Sequence, residues 1–261
     1  LDFIRRYQSV IVAFSGGVDS SYLAFITHRI LGSSAHMVTA VSPAVSAQQR
    51  AIAAELAEKY HFNHQLIDTQ EMQNPNYTKN PAKRCYFCKT ELYGQLQTLG
   101  EQLRINVIFD GCNKDDLKDY RPGRLAASER GVMSPFAEVG IDKREVRALS
   151  RRWNLPTWDQ PAMPCLSSRF PYGIEITETK LSQVEQAEDF LRQLGFKNFR
   201  VRHHENLARI EVDPLEMKSI LDQGVLGRIN QEFKSLGYDY VTLDMQGFRS
   251  GSLNEVLSLD S

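Results

Sequence analysis

"VIVAFSGGVDSSYLAF", residues 10–25, decides the fold. An apolar run from Val10 to Phe14 stops at Ser15-Gly16-Gly17 and restarts as a helical pattern through Tyr22, Leu23, Phe25 and Ile26. That is a short buried strand feeding a helix through a tight turn. The alternation continues outward. Strands are expected at "HMVTAVS" (36–42), "NHQLIDT" (63–69) and "INVIFDG" (105–111). Helices are expected at "SAQQRAIAAELAEKY" (46–60), "KTELYGQLQTLGEQL" (89–103) and "DKREVRALSRRW" (142–153). Strands alternating with helices predict an α/β fold with a doubly wound, mostly parallel sheet, whose ligands bind at the carboxyl ends of the strands.

The pattern changes after Pro156, Pro161, Pro164, Pro171 and Gly173, a cluster that disfavours helix and reads as a linker or active-site loop. Beyond it come a helix at 177–195, strands at 198–204 and 207–212 joined at Glu205-Asn206, an interrupted helix at 214–237 and a last strand at 239–245. The expected organisation is a first domain of residues 1–173 and a smaller α+β domain of residues 174–261.

The chain has 261 residues, 42% of them hydrophobic and 24% charged, with a net charge of −1. That balance is ordinary for a globular protein and offers no broad basic surface for nucleic acid. No apolar run approaches the ~20 residues that span a bilayer. "LDFIRRYQSV" holds no apolar signal core, so a cytoplasmic protein is expected. The four cysteines, Cys85, Cys88, Cys112 and Cys165, then read as metal, cluster or redox residues rather than structural disulfides.

The loop carries chemistry of its own. Two glycines let the backbone approach a ligand, and a helix start offers N–H groups and a favourable dipole to an anion. Ser15 and Ser20 add hydroxyls, so a phosphate or pyrophosphate is the natural guest; a plain Ser-capped turn is the structural alternative. Neither the Gly-Lys-Ser/Thr of a Walker A loop nor G-x-G-x-x-G is present. "SGGVDS" resembles the pyrophosphate-binding loop of the PP-loop ATP pyrophosphatases, a HUP-like fold. The resemblance implies that Ser15, Gly16, Gly17, Asp19 and Ser20 contact ATP, with Asp19 orienting the loop or helping to hold Mg²⁺.

Three further segments stand out. "DGCNKDDLKDYRPG" (110–123) brings Asp110, Gly111, Asn113, Asp115, Asp116, Asp119, Arg121 and Gly123 together after a strand, as an oxygen-ligand set or as a polar loop of Asx turns. "PCLSSRFPYG" (164–173) sets Cys165, Ser168 and Arg169 in the Pro-rich loop, where an arginine can clamp an anion bidentately. "FRVRHHENLARIEV" (199–212) puts Arg200 and Arg202 on one strand face, a phosphate receptor or a solvated charged face. His203 and His204 point to opposite faces and read as surface residues.

In their order along the chain, these segments and "YVTLDMQGFRSGSLNE" (240–255) resemble the LarE family over nearly the whole length. The resemblance implies an ATP-dependent sulfur transferase that adenylylates the carboxylates of pyridinium-3,5-biscarboxylic acid mononucleotide. It then converts them to thiocarboxylates for the nickel-pincer cofactor of lactate racemase and related enzymes. It also implies ATP, with Asp110 and Gly111 at the nucleotide site, and Lys89 at the position of a family lysine. Ser168, Arg169, Arg200, Arg202, Glu188 and Glu211 would serve substrate and phosphate from a C-terminal substrate-binding or oligomerisation domain. A sulfide or other sulfur donor and a homo-oligomer, with a hexamer as the candidate state, would be its partners, with neither nucleic acid nor membrane.

The family uses two sulfur chemistries. One sacrifices a loop cysteine, here Cys165, and leaves dehydroalanine; the other holds a 4Fe–4S cluster on three cysteines. Cys85 and Cys88 form a C-x-x-C that the sacrificial form lacks, and three thiolates leave an open iron, so a cluster on Cys85, Cys88 and Cys165 is the expectation. Cys112 reads as a small buried thiol, with a Cys₄ zinc site as the rival. The competing functions are tRNA thiolation by a related enzyme, an amide-forming synthetase that would need no thiolate, and a nucleotide sensor.

Overall fold

The computed structural model describes residues 1–117, 122–249 and 251–253. They form two compact units. The first takes residues 1–77 and 82–163, and the second takes residues 78–81 and the described residues from 164 onward.

In chain order, the first unit holds strands β1 (Val10–Ala13), β2 (Ala35–Val41), β3 (Asn63–Asp68) and β4 (Ile108–Phe109). Its helices are α1 (Val18–Leu31), α2 (Ala47–Lys59), α3 (Pro75–Thr78, whose last residue falls in the second unit), α4 (Arg84–Leu103), α5 (Pro122–Glu129), α6 (Pro135–Glu138) and α7 (Lys143–Arg152). The four strands pair in parallel in the order β3-β2-β1-β4. The doubly wound parallel sheet expected from the alternation is therefore present.

β1 shows why the sheet is covered on both faces. Val10, Val12 and Phe14 join one buried cluster with Leu23 of α1, Leu56 of α2 and Val146 of α7. Ile11 joins a second with Tyr93 and Leu96 of α4 and Ala126 of α5. Each such side chain contributes about 1.5–3 kcal/mol when it leaves water. A continuous apolar strand is stable only between two such layers.

Two elements differ from expectation. β4 is shorter than residues 105–111, because the Ile105 N–H is taken by the Gly100 carbonyl at the end of α4 and the register with β1 starts at Ile108, with the Ile11 N–H donating to the Val107 carbonyl (2.9 Å). α4 begins at Arg84, so the C-x-x-C lies within the helix; Tyr86 anchors that turn through its hydroxyl to Glu129 of α5 (2.7 Å).

The second unit holds α8 (Glu178–Gln193), β5 (Phe199–His204), β6 (Leu207–Val212), α9 (Met217–Ile220), α10 (Gln223–Ser235) and β7 (Tyr240–Leu243). Its sheet runs β5-β6-β7, antiparallel between β5 and β6 and parallel between β6 and β7. Glu205 turns the hairpin at φ +57°. Leu191, Val201, Ile210, Val212, Ile229 and Phe233 fill its core. The Pro-rich stretch carries no α-helix, only a 3₁₀ turn at Leu166–Arg169. No described helix is long and apolar enough to cross a membrane.

Candidate active site

The loop between β1 and α1 is closed by one hydroxyl. Ser20 Oγ accepts from the Ser15 N–H (3.2 Å), meets Ser15 Oγ (3.0 Å) and donates to the Gly17 carbonyl (3.2 Å). Gly17 is the N-cap of α1, and no side chain caps its first turn. Gly16 sits at φ +74°, and a Cβ there would lie 3.1 Å from Ala53 N and Gln49 O of α2, so the first glycine is required by conformation and by space.

The segment after β4 folds against this loop. A Cβ on Gly111 would lie 2.9 Å from Ser20 N. Asp110 accepts from Tyr93 Oη (2.9 Å), Ser134 Oγ (2.6 Å) and the Cys112 N–H (3.1 Å). Asn113, buried, donates from Nδ2 to Asp19 Oδ1 (3.2 Å), and its Oδ1 accepts the Asp115 N–H (2.9 Å). Asp116 Oδ2 accepts the Asn113 N–H (3.0 Å). Asp110, Asn113 and Asp116 thus shape a loop of Asx turns, and Asp110 and Asn113 also tie it to Tyr93, Ser134 and Asp19. Asp19 is the carboxylate that this loop and the glycine loop share. Asp119 and Arg121 lie outside the described residues, as do Ser250, Asn254 and Glu255 of the C-terminal motif.

Asp19 has a further partner, the ammonium of Lys143 at the first position of α7. Nothing in the spacing of the two residues along the chain marks this pair. The helix expected over 142–153 is α7, and it opens on a capping box between Asp142 and Glu145.

Lys89 on α4 lies over the ring of Tyr93, 5.5 Å from its centroid. Burial, then Asp110, hold the Tyr93 phenol well above its ordinary pKa, so it donates to Asp110 as a neutral hydroxyl. Cys85 and Cys88 are one turn apart on the same helix, residues i and i+3 on a shared face, the first exposed and the second half-buried. The Cys112 thiol is pushed up to about 11 by burial first and then by Asp110 and Asp116, which disfavours its reactive thiolate form. Cys165, half-buried, precedes the 3₁₀ turn of the second unit. Among the described residues no three His, Cys, Asp or Glu side chains are gathered as a metal-binding group.

The second unit brings six expected site residues together. Arg169 pairs bidentately with Glu188 (2.9 and 2.8 Å) and donates from Nη1 to the carbonyls of Pro164 (2.7 Å) and Cys165 (3.0 Å) and to Ser168 Oγ (2.9 Å). Arg202 pairs bidentately with Glu211 (2.9 and 2.7 Å) and donates from Nη1 to the Ser168 carbonyl (2.8 Å). Both pairs are buried. Arg200 lies 5.0 Å over the Phe248 ring. Burial first, then the charge of Arg169, lower its pKa to about 10. Arg209 also pairs with Glu211 and with Asp244, and Arg249 with Asp244, so five guanidiniums meet three carboxylates in this cluster, and the net positive charge favours an anion.

One histidine departs from expectation. His203 is buried, not a surface residue, because the odd-numbered side chains of β5 enter the core. Its ring packs between Phe170 and Tyr238, Nδ1 lies 3.1 Å from Tyr238 Oη, and burial first, then Lys180, push its pKa down to about 4.

Comparison with known proteins accords with this geometry. Residues 5–82 match the asparagine synthase family model, which covers the glycine loop and the first three strands. An uncharacterized protein of Synechocystis is 49% identical over 98% of this chain and 96% of its own length. The pyridinium-3,5-bisthiocarboxylic acid mononucleotide synthase of Lactiplantibacillus plantarum is 36% identical over 98% of this chain and 92% of its own length. An uncharacterized protein of Methanocaldococcus jannaschii is 30% identical over 94% and 92%. With its loop, its parallel sheet and this full-length similarity to a named synthase, the chain belongs to the LarE family.

Proposed function

We propose that this protein is an ATP-dependent sulfur transferase. It adenylylates the carboxylates of pyridinium-3,5-biscarboxylic acid mononucleotide and converts them to thiocarboxylates for the nickel-pincer cofactor. The observation that carries the reading is the near-full-length identity to the synthase of that product, joined to a glycine loop closed by Ser20. Nucleotide phosphates lie at Ser15, Gly16, Gly17 and Ser20, with Asp110 and Gly111 shaping the neighbouring loop. A substrate carboxylate oxygen attacks the α-phosphorus, the P–O bond to pyrophosphate breaks, and an acyl-adenylate forms. Attack by sulfur at the carbonyl carbon then expels AMP. Arg200 and Arg202 favour the substrate phosphate through charge and position; Ser168, Arg169, Glu188 and Glu211 hold them in place.

Asp19 offers the oxygen chemistry that Mg²⁺ takes, and Mg²⁺ would neutralise the leaving pyrophosphate. In this reading Lys89, whose ammonium lies over the Tyr93 ring, acts as a catalytic cation. Cys85, Cys88 and Cys165 are three thiols outside any disulfide, a donor set that suits a 4Fe–4S cluster with one open iron. Such a cluster would supply a bound sulfide as the sulfur nucleophile. A cytoplasmic, homo-oligomeric protein that receives sulfide from a donor is part of the same reading.

The test is anaerobic. Iron and acid-labile sulfide are assayed in the purified protein, and product is followed by mass spectrometry with ATP, Mg²⁺, sulfide and the biscarboxylic mononucleotide. About four irons per chain, lost in Cys85→Ser, Cys88→Ser and Cys165→Ser but kept in Cys112→Ser, with thiocarboxylate formed over several turnovers, is expected. Iron-free protein that forms product once and loses H₂S at Cys165 would replace the cluster by the sacrificial route. No pyrophosphate release with this substrate would overturn the assignment.

A further inference from the structure

The peptide that enters the glycine loop, between Phe14 and Ser15, is gripped by a hydroxyl at each end. Its N–H donates to Ser20 Oγ (3.2 Å), and its carbonyl accepts from Thr39 Oγ1 of β2 (2.7 Å). The register between β1 and β2 closes at Ala13 and Val38, and the Phe14 N–H still reaches the Val38 carbonyl (2.8 Å). Register and alternation put Phe14, Thr39 and His64 of β3 on one face of the sheet. His64 Nε2 lies 2.9 Å from the same Thr39 oxygen, and its ring stands edge-on to the Phe14 ring, 5.7 Å between centroids. A threonine hydroxyl has one hydrogen, and the Phe14 carbonyl can only accept. That hydrogen therefore goes to Phe14, and His64 Nε2 must carry a proton and donate it to Thr39. Burial lowers the His64 pKa, so near neutral pH the ring is uncharged and Nδ1 is bare.

We propose that Thr39 and His64 are a positioning pair for the nucleotide site. His64 fixes the Thr39 hydroxyl, and the hydroxyl fixes the plane of the Phe14–Ser15 peptide from which the loop departs. This rests on the ATP-dependent reading above. Held by Ser20 alone, that peptide could still rotate, through ψ of Phe14 and φ of Ser15 together. Thr39 removes this freedom from the sheet side. The N–H groups that follow are then set for phosphate before it arrives, which is how fixed donors favour a charged ligand. A valine of the same shape would fill the space of Thr39, which is 2% exposed, but would leave the Phe14 carbonyl unpaired in the core.

A packing role would cost stability and leave the ATP affinity of the folded protein unchanged. Mg²⁺–ATP is therefore titrated by calorimetry into the full chain and into Thr39→Val, Thr39→Ser, His64→Phe, His64→Gln and the Thr39→Val/His64→Phe double variant. Thr39→Val is expected to weaken binding roughly five- to tenfold, and His64→Phe by a smaller factor. Thr39→Ser keeps the hydroxyl and His64→Gln keeps an N–H within reach of it, so both retain most of the affinity. The double variant should bind no more weakly than Thr39→Val, because both residues act through one oxygen. Nitrogen NMR of the histidine rings, read without ligand, should show His64 protonated at Nε2. Unchanged affinity in folded Thr39→Val would overturn the proposal. Losses that add in the double variant, or a proton on Nδ1 with Nε2 bare, would remove His64 from it. A wild-type chain that binds neither ATP nor pyrophosphate would instead bring down the ATP-dependent reading, and this inference with it.

Discussion

The guanidinium of Arg169 and the carboxylate of Glu188 meet in a buried, bidentate pair that ties the Cys165 loop to α8. Glu188 Oε1 also accepts the Val201 N–H of β5 (3.1 Å), so one carboxylate joins loop, helix and strand. Burial alone would raise the Glu188 pKa. The Arg169 charge and hydrogen bonds outweigh it, with help from Arg200, and hold the carboxyl below its ordinary value of 4.5.

Glu188→Ala leaves a buried guanidinium without its counter-ion. A loss of about 3–5 kcal/mol in unfolding free energy is expected, read by denaturant titration. The pH dependence has a definite sign. As pH falls below 4.5, the unfolded chain takes up the proton first, so this contribution is present above 4.5 and fades below it. Glu188→Gln should flatten that acid limb.

His203 acts over a higher window. Its folded pKa is about 4 against an ordinary 6.5, so the unfolded chain binds the extra proton between these values. Stability is full above pH 6.5 and falls toward pH 4. A stability–pH curve for His203→Phe, compared with wild type, should be shallower between pH 6.5 and 4, where His36, His64 and His204 still contribute, while keeping the limb below pH 4.5 that Glu188 supplies.

Gly111→Ala forces a methyl to within 2.9 Å of the Ser20 amide, where backbone rather than a flexible side chain must move. Over-packing of about 1–3 kcal/mol is expected. The larger effect should fall on nucleotide binding, because the displaced atom belongs to the hydroxyl-closed loop. Direct ATP titration would show it; equal affinity would mean that the loop relaxes freely.

The cysteines should separate by reactivity. Cys112 is half-buried with a thiol pKa near 11, whereas Cys85 is exposed at the start of α4. In cluster-free protein at pH 8, iodoacetamide should alkylate Cys85 at least ~tenfold faster than Cys112. Peptide mass spectrometry over time measures both rates, and comparable rates would place Cys112 in an accessible, activated setting.

Much of this molecule was legible before folding. Val10 to Phe14 with the glycines behind them dictated a buried strand entering a helix, since only such a junction suits that apolar run and turn. The helices that open at Asp142 and Thr177 are legible for the same reason, since a helix and its start depend on near neighbours along the chain. The spacing of Arg200 and Arg202 placed them on one face of a strand by alternation alone.

Alternation does not say which face of β5 is buried; the core of the second unit takes the face of Phe199, Val201 and His203. The partners of the arginines were equally hidden, since Glu188 and Glu211 are set opposite them by helix packing and strand register. The pairing of Lys143 with Asp19 joins residues 124 apart in sequence. The sequence by itself determined the strand–loop–helix, its period and its chemistry, because these depend on local sterics and hydrogen bonding. Only the tertiary structure decided which charges neutralise one another, because that depends on distance and burial between elements whose spacing along the chain carries no trace of it.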